Sequence, residues 1–142
     1  MATILVVDDG PDARELLAKT VSKAGHHPVC AANGWEGLLA LDDRRVDLIL
    51  LDLMMPGMDG RTFLRILRND QRYGHLPVIL VTALDEGDLL AGALQYGVGD
   101  CFVKSTYSPR FVLDAIDRHL RDGNKDDRDA DAGDANSSSM NN

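Results

Sequence analysis

Five short apolar runs recur along the chain: Thr3 to Val7, Pro28 to Ala31, Leu48 to Leu51, Pro77 to Val81 and Asp100 to Val103. They are mostly unbroken and do not alternate polar with apolar positions, which predicts strands covered on both faces. After them, apolar residues return every three or four positions, as in Leu16, Leu17, Thr20, Val21 and Ala24. The same spacing holds for Trp35, Leu38, Leu39 and Leu41, for Phe63, Leu64, Ile66 and Leu67, and for Phe111, Val112, Ala115, Ile116 and Leu120. That period predicts helices with one inward stripe. Pro11 suits a first helical position, Gly25 a helix end, and Asp59 the cap of the third helix. The fourth helix, predicted over Asp85 to Gln95, is weakened by Gly87 and Gly92. Five strands each followed by a helix imply an α/β fold: a doubly wound parallel sheet with right-handed crossovers, helices on both faces and a site at the carboxyl ends of the strands.

The chain is organised around Asp47 to Gly60, D-L-I-L-L-D-L-M-M-P-G-M-D-G. Leu48 to Leu51 ends on one carboxylate, Asp52, and Pro56, Gly57 and Gly60 then turn the chain. Asp52 is therefore expected where a central strand surfaces. Taken alone, this stretch fits a site carboxylate and a loop cap equally well.

Composition narrows the classes. An apolar share of 44% supports one domain with a real core, expected over residues 1–122. From Gly123 to Asn142 the sequence is polar, acidic and without apolar periodicity, which predicts a disordered tail or linker. A net charge of -8 argues against binding nucleic acid or an anionic membrane. No apolar segment approaches the roughly 20 residues of a membrane span. The start has no basic region and reads as a strand, not a signal peptide, so a cytoplasmic location is expected. Cys30 and Cys101 fall in predicted strands without zinc spacing and are expected to be buried, reduced core residues. His26, His27, His75 and His119 are expected at the surface, and Trp35 is expected to pack.

The chemistry lies at the strand ends. Asp8 and Asp9 follow the first strand, Asp52 the third, Thr82 the fourth and Lys104 the fifth, so all are expected on one edge of the sheet. Crowded carboxylates repel, and either a raised pKa or a bound cation has to relieve that repulsion. A hard ion, Mg²⁺ or Mn²⁺, fits carboxylates, a main-chain carbonyl and waters in a site that also holds phosphate. Lys104 and the Thr82 hydroxyl then suit phosphoryl oxygens, and a carboxylate can itself be the nucleophile.

The set V-V-D-D, L-L-D-L-M-M-P-G-M-D-G, V-T-A and F-V-K, in this order, resembles the receiver domain of bacterial two-component response regulators, over about residues 2–121. The resemblance implies the flavodoxin-like strand order 2-1-3-4-5. It implies Asp52 as phosphoacceptor, and Asp8, Asp9, Asp52 and the main-chain carbonyl of Met54 as the metal site. Thr82, Ala83 and Lys104 would handle the phosphoryl group. The chain would then be a signalling domain and not a conventional enzyme. A histidine kinase or histidine phosphotransfer protein would be the donor, and a downstream protein, an output domain or a second copy of the chain the recipient of the switch. By the same analogy Met54 and Leu84 flank the path of attacking water, and their apolar side chains predict slow loss of phosphate. The alternative is a scaffold or dimerisation module of the same fold that does not depend on phosphate.

Two positions depart from the family. The ring usually found three residues before the lysine is Cys101 here, and Phe102 cannot replace it because neighbouring strand residues face opposite ways. Lys104 is followed by Ser105 where the family usually has a proline, so a trans peptide is expected there.

Overall fold

The computed structural model describes residues 1–83 and 87–135, with the backbone alone described from residue 123. Its strands are β1 (Thr3–Val7), β2 (His27–Ala31), β3 (Leu48–Leu51), β4 (Val78–Thr82) and β5 (Asp100–Val103). The helices between and after them are α1 (Pro11–Lys23), α2 (Gly34–Asp43), α3 (Gly60–Asn69), α4 (Gly87–Leu94) and α5 (Pro109–Ala135). All strand pairs are parallel and the order is β2-β1-β3-β4-β5, as the resemblance implied.

The unbroken apolar runs are explained by two cores. Leu5, Val7, Ile49, Leu51, Val78 and Leu80 face α2, α3 and α4, where Phe63, Leu64 and Leu67 meet them. Their neighbours Ile4, Val6, Leu48, Leu50, Ile79 and Val81 face α1 and α5, meeting Leu17, Val21, Val112 and Ile116. Each central strand therefore buries both of its faces. Helix starts follow the local signals: Pro11 opens α1, Asn33 accepts from the Glu36 amide at the start of α2, and Asp59 accepts from the Thr62 amide at the start of α3.

The structure corrects several expectations at the periphery. Cys30 and Cys101 are exposed. They lie on β2 and β5, the two edge strands, which helices cover less completely than they cover the centre. Trp35, Leu16, Leu39 and Phe111 are also exposed, because each lies beyond the arc of its helix that meets the sheet. Ala24 is exposed at the C-cap of α1. His26 and His119, by contrast, are largely enclosed. His26 Nδ1 accepts from the Ala2 amide, and His119 Nε2 lies 2.8 Å from Asp100 Oδ2.

Helix α5 continues to Ala135, past Gly123 where the polar tail was expected to begin. Absence of an apolar stripe speaks against burial, whereas extending an existing helix by one more residue needs only backbone bonds. Residues 136–142 of that expected tail lie outside the described residues, as do Asp85 and Glu86 of the expected α4. The described part of α4 begins at Gly87. There is no cis peptide among the described residues, so Lys104-Ser105 is trans as expected.

Candidate functional site

Strand register brings the acids together. Val7 pairs with Leu51 across β1 and β3, so the residues that follow them, Asp8 and Asp52, leave the sheet side by side. Main-chain bonds extend the pairing: the Asp52 amide donates to the Val7 carbonyl at 2.9 Å, and the Asp8 amide to the Ala31 carbonyl at 3.1 Å. Across β4 and β5, Thr82 pairs with Val103, and the Lys104 amide donates to the Thr82 carbonyl at 2.8 Å. Two adjacent strand pairs thus bring their terminal side chains to one edge.

Asp8 and Asp52 are 1% and 3% exposed, and Thr82 is equally buried at the end of β4. Asp9 is exposed, and Ala83 directly follows the strand. Lys104 reaches from β5 to both buried acids, with Nζ 3.0 Å from Asp52 Oδ2, 3.2 Å from Asp8 Oδ1 and 3.0 Å from Asp8 Oδ2. Burial works against its charge, but the hydrogen bonds and charges of Asp8 and Asp52 outweigh burial and raise its pKa above the ordinary lysine value. The site therefore holds a firmly protonated lysine between two carboxylates.

The acid cluster fits a hard divalent cation. Asp8, Asp9 and Asp52 each offer a carboxylate oxygen, and these atoms lie within 4.8 Å of one another. Asp8 Oδ1 accepts from the Gly10 amide at 2.8 Å, which fixes the carboxylate plane. Asp8 Oδ2 is buried, and although Lys104 pairs with it by charge, no donor is aligned on it as a hydrogen bond. A carboxylate oxygen in that condition is suited to a metal ligand. Arg14 steadies the same turn by donating to the Asp8 carbonyl at 2.8 Å.

The loop after Asp52 is held tightly against α3. At Gly60 a Cβ would lie 2.7 Å from the Asp52 carbonyl oxygen and from Leu53 Cα, so only glycine lets α3 start this close to the site. The Gly60 amide uses that approach to donate to the Leu53 carbonyl at 2.7 Å. Met54 is exposed at the rim, and its amide faces Asp52 Oδ1 at 3.4 Å. Leu84, the other expected flank of the water path, lies outside the described residues.

All of Asp8, Asp9, Asp52, Thr82, Ala83 and Lys104 thus fall at one edge. Sequence reasoning missed Arg14, whose position one turn into α1 signalled no more than a surface arginine.

A parallel α/β domain of order 2-1-3-4-5, with acids and a lysine at its carboxyl edge, defines the flavodoxin-like class of folds, whose sites lie at the carboxyl ends of the strands. Comparison with known proteins makes this specific. The response regulator receiver domain family matches residues 4–116. The phosphate regulon transcriptional regulatory protein PhoB of Pseudomonas aeruginosa is 35% identical over 119 residues, covering 84% of this chain and 52% of that protein. The transcriptional regulatory protein AfsQ1 of Streptomyces coelicolor is 37% identical, covering 92% of this chain and 56% of its own length. The chain spans about half the length of these curated relatives. Among solved structures, the chemotaxis protein CheY4 of Vibrio cholerae is similar with a TM-score of 0.75 and 29% identity, over 83% of this chain and 98% of that one. This chain belongs to the response regulator receiver domain family of two-component systems.

Proposed function

We propose that the chain is the phosphoacceptor of a phosphorelay, taking a phosphoryl group on Asp52 from the phosphohistidine of a histidine kinase or phosphotransfer protein. The observation that carries this is the buried Asp52 carboxylate with Lys104 Nζ at 3.0 Å, beside the acid pair Asp8 and Asp9. An Asp52 oxygen attacks phosphorus, a P–O bond forms, the P–N bond breaks, and the imidazole leaves with the electron pair. Lys104 then balances charge on the phosphoryl oxygens. The Thr82 hydroxyl and the Ala83 amide hold a further oxygen, and the Thr82 movement carries the switch. A bound Mg²⁺ or Mn²⁺, held by Asp8, Asp9, Asp52 and the Met54 carbonyl, would supply the remaining positive charge.

The receiver proper is residues 1–122, with the acidic segment that follows serving as a tail or linker. Its work is signalling in the cytoplasm, and the recipient of the switch is a downstream protein, an output domain or a second copy of the chain. Among the described residues no helix is long and apolar enough to cross a membrane. The net charge of -8 over the whole chain disfavours its contact with nucleic acid.

Incubation with a small-molecule phosphodonor and Mg²⁺, followed by phosphate-affinity electrophoresis, tests the assignment. A retarded band in wild type and none in Asp52→Asn is expected. A retarded band in both would move the phosphate to another residue, and a band in neither would return the chain to the phosphate-independent scaffold.

A further inference from the structure

Arg68, near the end of α3, is half-buried and faces no carboxylate among the described residues. Its guanidinium instead donates to four main-chain carbonyls: from Nε to Tyr96 at 2.7 Å, from Nη1 to Gly74 at 3.0 Å and Leu76 at 2.6 Å, and from Nη2 to Gly97 at 2.7 Å. Tyr96 and Gly97 form the turn that closes α4, where their amides return to the Ala93 and Leu94 carbonyls. Gly74 and Leu76 lie in the connection from α3 to β4. One side chain therefore ties the far end of α4 to α3 and to the root of β4. Burial lowers its pKa, yet arginine remains charged, and a half-buried cation held by carbonyls alone is a costly way to close a turn.

Helix α4 is held unevenly along its length. Among its described residues only Ala93, in the last turn, is fully buried, while Leu89 and Leu90 are partly buried and Gly87 has open space around it. At Gly92 a Cβ would lie 2.6 Å from Arg61 Cδ, so the arginine stem of α3 crosses the helix where it has no side chain. Contacts with a bare glycine constrain rotation less than interlocked side chains do. The described start of α4, from Gly87 to Leu90, is thus lightly held, and the distal end is pinned. With Cys101 exposed on β5 in place of the usual ring, α4 is the element best placed to report a change at Thr82.

We propose that Arg68 is a pin about which α4 turns when the site is phosphorylated, so that the proximal end of the helix moves and the Ala93–Gly97 end stays fixed. This rests on Asp52 being the phosphoacceptor. Amide hydrogen exchange, read by NMR with and without Mg²⁺ and beryllofluoride, tests it in wild type and in Arg68→Lys, which keeps the charge but cannot fork to four carbonyls. In wild type, beryllofluoride is expected to change exchange over residues 87–90 by about tenfold and to leave Tyr96 and Gly97 unchanged. In Arg68→Lys, Tyr96 and Gly97 are expected to exchange at least about tenfold faster already without beryllofluoride, and both ends of α4 to respond once it is added. Equal responses at the two ends in wild type, or unchanged exchange at Tyr96 and Gly97 in the variant, would overturn the pin. Failure of beryllofluoride to shift Asp52 and its neighbours would instead count against the phosphoacceptor assignment, and the metal-free comparison would still decide the role of Arg68.

Discussion

Lys104 shows how a single residue organises the site. It is 28% exposed and stands between two acids that are almost wholly buried. Lys104→Met would leave Asp8 and Asp52 facing each other without a cation. Breaking a fully buried pair costs about 3–5 kcal/mol, and the partial exposure of the lysine brings the expected loss to about 1–3 kcal/mol at neutral pH. Because the folded-state pKa of Lys104 is raised, its contribution is complete below the ordinary value of 10.5 and is lost as pH rises through the folded value. Urea midpoints of wild type and Lys104→Met should therefore differ at about pH 9 and converge as pH rises through the raised folded-state value. A constant gap across that range would mean the lysine stabilises by packing alone.

At the scale of elements, the central strands were legible because burial on both faces leaves an unbroken apolar run. Caps and first-turn prolines marked the helix starts for equally local reasons. The periphery was not legible in the same way. Whether Cys30 and Cys101 are buried depends on which strands are edges and how far helices reach over them, and neither is written in the local pattern. Leu39 and Phe111 match helical spacing, but the covered arc is narrower than the apolar one. Arg68 was invisible because its partners are main-chain carbonyls supplied by two distant turns. Gly60, however, links sequence to site directly: Gly60→Ala forces a Cβ into the Asp52 and Leu53 backbone. A loss of about 1–3 kcal/mol is expected in denaturant unfolding, accompanied by weaker metal binding. Unaltered stability would show that α3 can retreat without cost.

For the whole molecule, the candidate site was readable as a set because five runs of the same polarity each delivered one end to one edge, and the register then decided which ends are neighbours. The fold therefore supplies the site's geometry and the acids supply its cost, since repelling carboxylates are held together around Lys104. Mg²⁺ that binds only the native state should repay that cost. At saturating metal the melting temperature is expected to rise by about 5 °C or more, with no rise in Asp9→Ala. An equal rise in both proteins would move the metal away from this cluster.

As the proposed phosphoacceptor, Asp52 itself would become the acyl phosphate. Borohydride reduces an aspartyl phosphate to homoserine, which peptide mass spectrometry can place in the sequence. After treatment with phosphodonor and Mg²⁺, homoserine is expected at position 52 and at no other aspartate, including Asp8 and Asp9. Homoserine at another aspartate, or none in protein that has demonstrably taken up phosphate, would contradict the account.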